Sequence, residues 1–137
     1  MENKRILALD VGDVWIGTAH TDFSKTFVHP NETWKRVDLI KNLNNYFKIN
    51  KVEIIVVGLP ITMKGRESEQ TKKTLDVCEI IKNNFPEIII ETFDERLSSS
   101  FAKSIQIFNK SKDKLKEHSI AAAIILENYL NKTKQNK

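Results

Sequence analysis

The spacing of apolar residues changes several times along the chain, and each change marks a predicted element. Between Lys35 and Ile49 the apolar residues recur at helical spacing, which predicts a helix. The continuous apolar run that follows, VEIIVVGLP, predicts a buried strand. Before the helix, three short apolar runs separated by turn-like breaks predict three successive strands: RILALD, WIGTAHTD and KTFVHP.

The second half of the chain continues this alternation of helix and strand. A second predicted helix ends near Asn84, and the run PEIIIETFDERLS predicts another buried strand. Strands that are apolar on both faces and alternate with helices indicate parallel pairing. The rest of the chain is predicted to hold a helix over about 98–108, a lysine-rich loop over about 110–116, a closing helix from about His118 and a flexible tail over about 132–137. The sequence therefore predicts one α/β domain over residues 1–137, with a five-stranded mixed sheet flanked by helices on both faces.

The net charge, the single cysteine and the length of the apolar runs limit the possible partners and location of the protein. The formal net charge is +4, and the whole excess lies after residue 109, where seven lysines accompany three acidic residues. Clustered lysines suit nucleic-acid phosphates, although a lysine-rich end is as often only solvated. Apolar residues lie at helical spacing on either side of Cys78, so its thiol is expected to be packed against them. Since no apolar run is long enough for a membrane span and the first strand leaves no room for a signal peptide, we expect a cytoplasmic protein with no membrane partner.

Acidic residues end two of the predicted strands. Asp10 closes the first strand, and Gly12 follows where a tight turn lets the backbone approach a ligand. The last strand ends in Asp94, Glu95 and Arg96. Ligands of such sheets bind beyond the carboxyl ends of the strands, where carboxylates suit a metal ion and a guanidinium suits bidentate contacts to phosphate. Taken alone, each stretch could also be a capped loop or a local ion pair in an exposed turn.

His118 is the third candidate, at the head of a long apolar helix. The pattern places it in the first turn, and Ala121 and Ala122 one turn later would let this helix approach the sheet closely. The positive end of the helix dipole disfavours imidazolium, and neutral imidazole is the form that binds metal. A lone histidine is, however, more often a surface residue or one whose hydrogen bonds are made within the protein. His118 could therefore be a metal ligand or a residue without a role in the site.

Four stretches, taken in order, resemble the YqgF (RuvX) family over about residues 5–131: LALDVGDVWIGTA, IIVVGLPITMKG, FDERLSSSFA and HSIAAAIILENYL. The resemblance implies a ribonuclease H-like fold related to RuvC resolvases. It also implies a bacterial cytoplasmic nuclease that acts at the 5′ end of precursor 16S ribosomal RNA, or, in an older description, a Holliday junction resolvase.

Carried over by position, the resemblance makes Asp10 the first catalytic carboxylate and Glu95 the second, with Asp94 as its rival. The third acid of the family, an Asp at the start of the last helix, falls on His118. A further departure is the stretch VWIG, where valine and tryptophan stand before Ile-Gly instead of the family's usual basic residue. This change removes a possible phosphate contact.

The resemblance implies a site for one or two divalent ions, Mg²⁺ or Mn²⁺, bound by Asp10, Glu95 and His118 and used to hydrolyse phosphodiester bonds. Because imidazole shifts preference toward Mn²⁺, we expect weaker binding of Mg²⁺, stronger relative use of Mn²⁺ and activity that falls as the pH drops and histidine becomes protonated. Nucleic acid, with structured RNA favoured over branched DNA, would be guided by basic residues near the site: Arg96, Lys110, Lys112, Lys114 and Lys116.

Two alternatives to the RNA nuclease stay open on sequence alone. A junction-resolving DNA nuclease would need a dimer to cut two strands symmetrically, and we expect a monomer or a weak homodimer. A nucleic-acid-binding or ribosome-assembly protein that has lost catalysis is suggested by the histidine at position 118. Common nucleotide-binding and hydrolase sites are disfavoured, because the chain has no phosphate-loop, dinucleotide-binding, zinc-cysteine or nucleophile-elbow motif.

Overall fold

The computed structural model describes residues 4–59, 69–94 and 114–135. The helix predicted over about 98–108 lies outside these residues. The described strands are β1 (Arg5–Val11), β2 (Trp15–Thr21), β3 (Val28–Lys35), β4 (Val52–Leu59) and β5 (Ile89–Asp94). The described helices are a 3₁₀ turn (Arg36–Asp38), α1 (Leu39–Ile49), α2 (Glu69–Asn84) and α3 (Lys114–Gln135).

The strands form one mixed sheet with β1 at its centre. The strand order is β3-β2-β1-β4-β5. β1 is antiparallel to β2 and parallel to β4, while β2 is antiparallel to β3 and β4 is parallel to β5. The predicted five-stranded mixed sheet is thus confirmed. Because β1, β4 and β5 run in the same direction, their carboxyl ends meet at one edge of the sheet.

Alternate side chains of β1 belong to different halves of the core. Leu7 and Leu9 lie in the apolar cluster covered by α1 and α2, whereas Ile6 and Ala8 lie in the cluster covered by α3. Since successive strand side chains point to opposite faces, Asp10 shares the α3 face with Ile6 and Ala8. Full burial of an aliphatic side chain stabilises a fold by about 1.5 to 3 kcal/mol, so packing on both faces holds β1 firmly in place.

The last helix is longer than the sequence predicted. α3 begins at Lys114 rather than near His118, and it continues to Gln135, through most of the predicted tail. Lysine, leucine, glutamate and glutamine are strong helix formers, which explains the extension at both ends. His118 therefore lies in the second turn, where the helix dipole acts only weakly. None of the described helices combines the length and the hydropathy needed to cross a bilayer.

β5 is less buried than predicted. Ile89 is 54% exposed, and in the part of the chain that the structure describes β5 has only β4 as a neighbour. An apolar run in a strand does not by itself distinguish a central position from an edge, so this difference reflects the place of β5 in the sheet.

His20 on β2 connects the sheet to α1 and should make folding sensitive to acid. Its Nδ1 lies 2.7 Å from the Tyr46 hydroxyl, and burial, then the charges of Arg5 and His29, lower the pKa of His20 from 6.5 to about 4. Between pH 6.5 and pH 4, His20 is therefore protonated in the unfolded chain but mostly neutral in the folded protein. The free energy of unfolding is at its full value above pH 6.5 and decreases as the pH falls toward 4. We expect a loss of about 1 to 2 kcal/mol, allowing for the partial exposure of the ring.

Urea denaturation of the wild type and His20→Asn at neutral pH and near pH 4.5 tests this expectation. His20→Asn should lose much less stability on acidification than the wild type does. His29→Asn, a change at an exposed position on the neighbouring strand, should leave most of the acid sensitivity in place. Equal acid sensitivity in the wild type and His20→Asn would show that His20 is not its source.

Candidate active site

Asp10 is partly buried at the carboxyl end of β1, on the face that α3 covers. It pairs with Gly17 of β2. On its other side, Gly58 of β4 directly follows Val57, the partner of Leu9. Neither neighbouring position carries a side chain that could fill the space beside the carboxyl group. Burial raises the pKa of Asp10, and the electrostatic effect of nearby His118 acts in the opposite direction.

α3 approaches β2 so closely that its backbone contacts the strand backbone. A Cβ on Gly17 would overlap the His118 carbonyl group and lie 2.8 Å from the backbone nitrogen of Ser119. Only glycine fits this position without displacing the helix. The close approach predicted from the alanines of α3 is confirmed, and Ala122 is fully buried. The contact itself, however, depends on Gly17.

This contact brings the His118 imidazole to the end of β1. Its Cε1 atom lies 4.0 Å from the place that a Cβ on Gly12 would occupy. His118 is also close enough to act electrostatically on the Asp10 carboxyl group, whose pKa it lowers against the larger effect of burial. Asp10 and His118 are therefore neighbours, and they approach each other from two elements that are far apart in sequence.

α2 supports the turn that follows Asp10. The Gln70 side-chain amide donates a hydrogen bond to the Val11 carbonyl oxygen (2.9 Å). Lys73 Nζ donates to Asp13 Oδ1 in the turn (3.2 Å), and both side chains remain well exposed. Such an exposed pair contributes little stability, but it brings a positive charge to the site. Neither Gln70 nor Lys73 was identified from the sequence, since a helix residue that contacts a distant turn leaves no local pattern.

Asp94 ends β5 on the opposite side of the sheet from α3. Phe93 lies in the core cluster covered by α3, whereas Ile90 packs against the cluster covered by α1 and α2. Because side chains alternate along a strand, Asp94 shares the face of Ile90. Its carboxyl group is therefore directed away from the face that carries Asp10.

The rest of the second acidic stretch, Glu95 and Arg96, lies outside the described residues. Within the described ranges, no three His, Cys, Asp or Glu residues are grouped closely enough to hold a metal ion. Asp94 therefore does not complete such a group with Asp10 and His118. Asp10 and His118 are the two predicted ligands that the structure brings together.

The predicted nucleic-acid-binding lysines are divided by the limits of the described residues. Lys110 and Lys112 lie outside them, while Lys114 is the first residue of α3. Lys116 is exposed and precedes His118 by two residues. Contacts of these lysines with nucleic acid stay a prediction.

The arrangement of strands and helices matches a known fold. The solved structure of T. thermophilus RuvC in complex with Holliday junction substrate aligns with a TM-score of 0.57, covering 94% of this chain and 96% of that chain. Sequence identity over the alignment is 11%, so the likeness concerns the fold alone. The ribonuclease H-like fold expected from the sequence is thereby confirmed.

Sequence relatives cover almost the whole chain. A relative from Sulfurihydrogenibium sp. named "Putative pre-16S rRNA nuclease" is 37% identical over 132 residues, which is 94% of this chain and 91% of the relative. A relative of the same name from Fusobacterium nucleatum is 36% identical over 138 residues, with 96% and 99% covered. The sequence model of the RuvX family, described as Holliday junction resolvase, matches residues 4–132. With matches of this extent and identity, the chain belongs to the RuvX family.

Proposed function

We propose that this chain is a cytoplasmic, divalent-metal-dependent nuclease that hydrolyses phosphodiester bonds in precursor 16S ribosomal RNA. The observation that carries the proposal is the partly buried Asp10 carboxyl group beside the His118 imidazole, at the carboxyl end of the central strand. A desolvated carboxylate gains more from a bound cation than an exposed one does, because its charge is poorly compensated by water. The names of the relatives support RNA as the substrate.

The donor groups fit a divalent ion. Asp10 offers carboxylate oxygens, and His118 offers an imidazole nitrogen. We infer that Glu95 rather than Asp94 supplies the second carboxylate, because Asp94 lies on the other face of the sheet. A divalent ion at these residues would supply an activated water and charge stabilisation for phosphodiester hydrolysis. Mg²⁺ is compatible with the carboxylates, while the imidazole favours Mn²⁺.

Basic side chains around this edge would hold the substrate. Lys73 lies next to the turn after Asp10 and forms an exposed ion pair with Asp13. A phosphate group could take the place of the Asp13 carboxylate in this pair. Lys116 is exposed near His118 on α3, and Arg96 would supply bidentate contacts to phosphate. These charges would position the phosphodiester backbone against the carboxylates without reading the base sequence.

Cleavage assays on two substrates test the proposal. Wild-type protein is expected to cut an RNA containing the 5′ flank of 16S ribosomal RNA in the presence of Mn²⁺, and to leave a four-way DNA junction intact. Asp10→Asn serves as the inactive control. Binding of the RNA without cleavage under any divalent ion would contradict the proposal and favour a ribosome-assembly protein without catalysis.

Junction resolution is the second candidate, and the description of the RuvX family model favours it. Two symmetric cuts across a junction need two active sites related by a two-fold axis, and hence a dimer. Cleavage of the junction but not of the RNA, by a protein that sediments as a dimer, would favour this function. A monomer that cuts RNA would exclude it.

His118 should set the metal preference. An imidazole ligand supplies no negative charge, so His118→Asp is expected to raise the Mg²⁺-supported cleavage rate relative to the Mn²⁺-supported rate by roughly tenfold or more. His118→Ala should weaken cleavage with both ions. Rates measured over a range of concentrations of each ion check this expectation.

The matched control is His29→Asp, the same exchange at an exposed position on β3. It should leave the ratio of the two rates unchanged. If His118→Asp also leaves the ratio unchanged, His118 does not contact the metal. If the wild type is inactive and His118→Asp cleaves RNA, this chain is a disabled nuclease whose catalysis one carboxylate restores.

A further inference from the structure

The face that carries Asp10 continues beyond it with an aromatic and a basic side chain. Asp10 pairs with Gly17, and Gly17 pairs in turn with Thr33 of β3. The next pair on the same face, two residues along the strands, is Trp15 with Lys35. At about 3.4 Å per residue, Trp15 and Lys35 lie roughly 7 Å past the row of Asp10.

The strand contacts support this orientation of Trp15. Gly17 contacts α3 directly, whereas Ile16 belongs to the core cluster on the α1 and α2 side. Side-chain alternation therefore puts Trp15 on the face of Gly17 and Asp10. Directly opposite residues of antiparallel strands have Cβ atoms about 4.5 to 5.5 Å apart, so Lys35 lies beside Trp15.

Trp15 is accessible in a way that the other tryptophan is not. Trp34 is 6% exposed and packs edge-on against Tyr46. Trp15 is only partly buried, and among the described residues its ring makes no aromatic or cation contact. An accessible indole beside a lysine resembles the stacking platforms with which proteins bind single-stranded nucleic acid.

The surface next to Trp15 is unusually apolar for the rim of a charged site. Val14 is 61% exposed and Val37 is 89% exposed. The two lie close together, because the backbone N–H of Arg36 donates a hydrogen bond to the Val14 carbonyl oxygen (2.8 Å). Exposed apolar side chains bordered by Lys35 and Arg36 match the chemistry of a nucleotide, whose base is apolar on its faces and whose phosphate is anionic.

We propose that Trp15 and Lys35 bind the nucleotide next to the scissile phosphate, with an unpaired base stacked on the indole and its phosphate paired with the lysine. The inference rests on the proposed nuclease function and narrows the class of nucleic acid that the protein would cut. The strand that is cut must be single-stranded, or locally unpaired, on one side of the cleavage point. A fully paired helix would not present a free base face to Trp15.

Fluorescence of a single-tryptophan protein tests the stacking directly. In Trp34→Phe, Trp15 is the only indole of the chain. Titration with a short oligoadenylate, in EDTA to prevent cleavage, should quench its emission. The same oligonucleotide with abasic positions should quench it much less. Equal quenching by both oligonucleotides, or quenching by neither, would overturn the inference.

Two substitutions separate stacking from charge. Trp15→Ala should weaken oligoadenylate binding roughly 5- to 100-fold without changing its salt dependence, and Trp15→Phe should retain most of the affinity. Lys35→Ala should weaken binding and reduce the slope of log affinity against log salt by about 0.7, the value for one phosphate on a single strand. Lys41→Ala, at an exposed lysine of α1, is the matched control and should leave the slope unchanged.

The results distinguish this inference from the proposed function. Stacking on Trp15 by a protein that cleaves no nucleic acid would support the inference and contradict the nuclease. Cleavage of RNA by a folded Trp15→Ala protein with wild-type affinity would support the nuclease and overturn the inference. Should Trp15→Ala fail to fold, the abasic comparison in Trp34→Phe decides the question alone.

Discussion

Gly17→Ala is expected to lower the free energy of unfolding by at least about 3 kcal/mol, at the upper end of the cost of overpacking a core. The added carbon would overlap the His118 carbonyl group and approach the Ser119 nitrogen to 2.8 Å. Because these are backbone atoms, no side-chain rotation can relieve the overlap, and α3 must move away from the sheet. Alanine also restricts the unfolded chain, but that gain is at most about 1 kcal/mol.

Urea denaturation followed by circular dichroism measures this effect. Ala19→Gly is a suitable control, because Ala19 is fully buried two residues along β2 on the same face. It removes a carbon where Gly17→Ala adds one, and should cost about 1 kcal/mol. A Gly17→Ala protein as stable as the wild type would mean that α3 and β2 are farther apart than described. In the expected case, the Gly17→Ala protein should also cleave RNA more slowly, since displacement of α3 separates His118 from Asp10.

Asp10→Asn is expected to abolish RNA cleavage, with a loss on the order of 10³-fold or more, while making the protein more stable at neutral pH. Loss of an outer-shell partner of a metal ligand already costs about 10- to 100-fold, so the loss of Asp10, a direct ligand in the proposed site, should cost more. Asparagine keeps the shape of the side chain but removes the negative charge. Binding of RNA should survive, because the basic residues remain.

The gain in stability follows from the raised pKa of Asp10. Between its ordinary value of 3.8 and the raised value, the folded protein keeps a proton that the unfolded chain releases. Stability is therefore lost as pH rises through this interval, and the cost persists at neutral pH. The neutral amide in Asp10→Asn carries no such cost. Thermal unfolding in EDTA should therefore show a higher Tm for this variant at pH 7, and the difference should shrink as the pH falls toward 3.8.

Asp13→Asn is the matched control for both measurements. Asp13 lies in the same turn, is exposed and pairs only weakly with Lys73. Its substitution should change neither the Tm nor the cleavage rate by much. Cleavage by Asp10→Asn at near wild-type rates would remove Asp10 from the mechanism, and a lower Tm at pH 7 would mean that its charge stabilises the fold.

The architecture was predictable from sequence because each part leaves a local pattern. Helical spacing between Lys35 and Ile49, and continuous apolar runs before and after, predict the elements found as α1, β1 and β4. The end of the first apolar run indicates Asp10 as a candidate, and the head of the last apolar helix indicates His118. The predicted family and fold are confirmed by the RuvX match and the alignment with RuvC.

The close contacts of the site were not predictable, because they depend on distances between elements. The sequence around Gly17 does not distinguish it from other glycines in strands, because its contact is with backbone atoms of the distant helix α3. The segment before His118 mixes lysines, which favour helix, with asparagine, serine and aspartate, which favour turns and caps, so the sequence predicts the start of α3 too late. Gln70 contacts the carbonyl of Val11, 59 positions earlier, and no periodic pattern records such a pair.

The backbone contact at Gly17 has a consequence for how this site can evolve. The position of α3 at the site depends on main-chain atoms of residues 118 and 119, not on the side chain of His118. The residue at position 118 can therefore be exchanged while the helix keeps its place. The docking of the helix and the side chain presented to Asp10 are therefore encoded separately. If position 118 binds a metal as proposed, single substitutions there would change the metal preference while the fold stays the same.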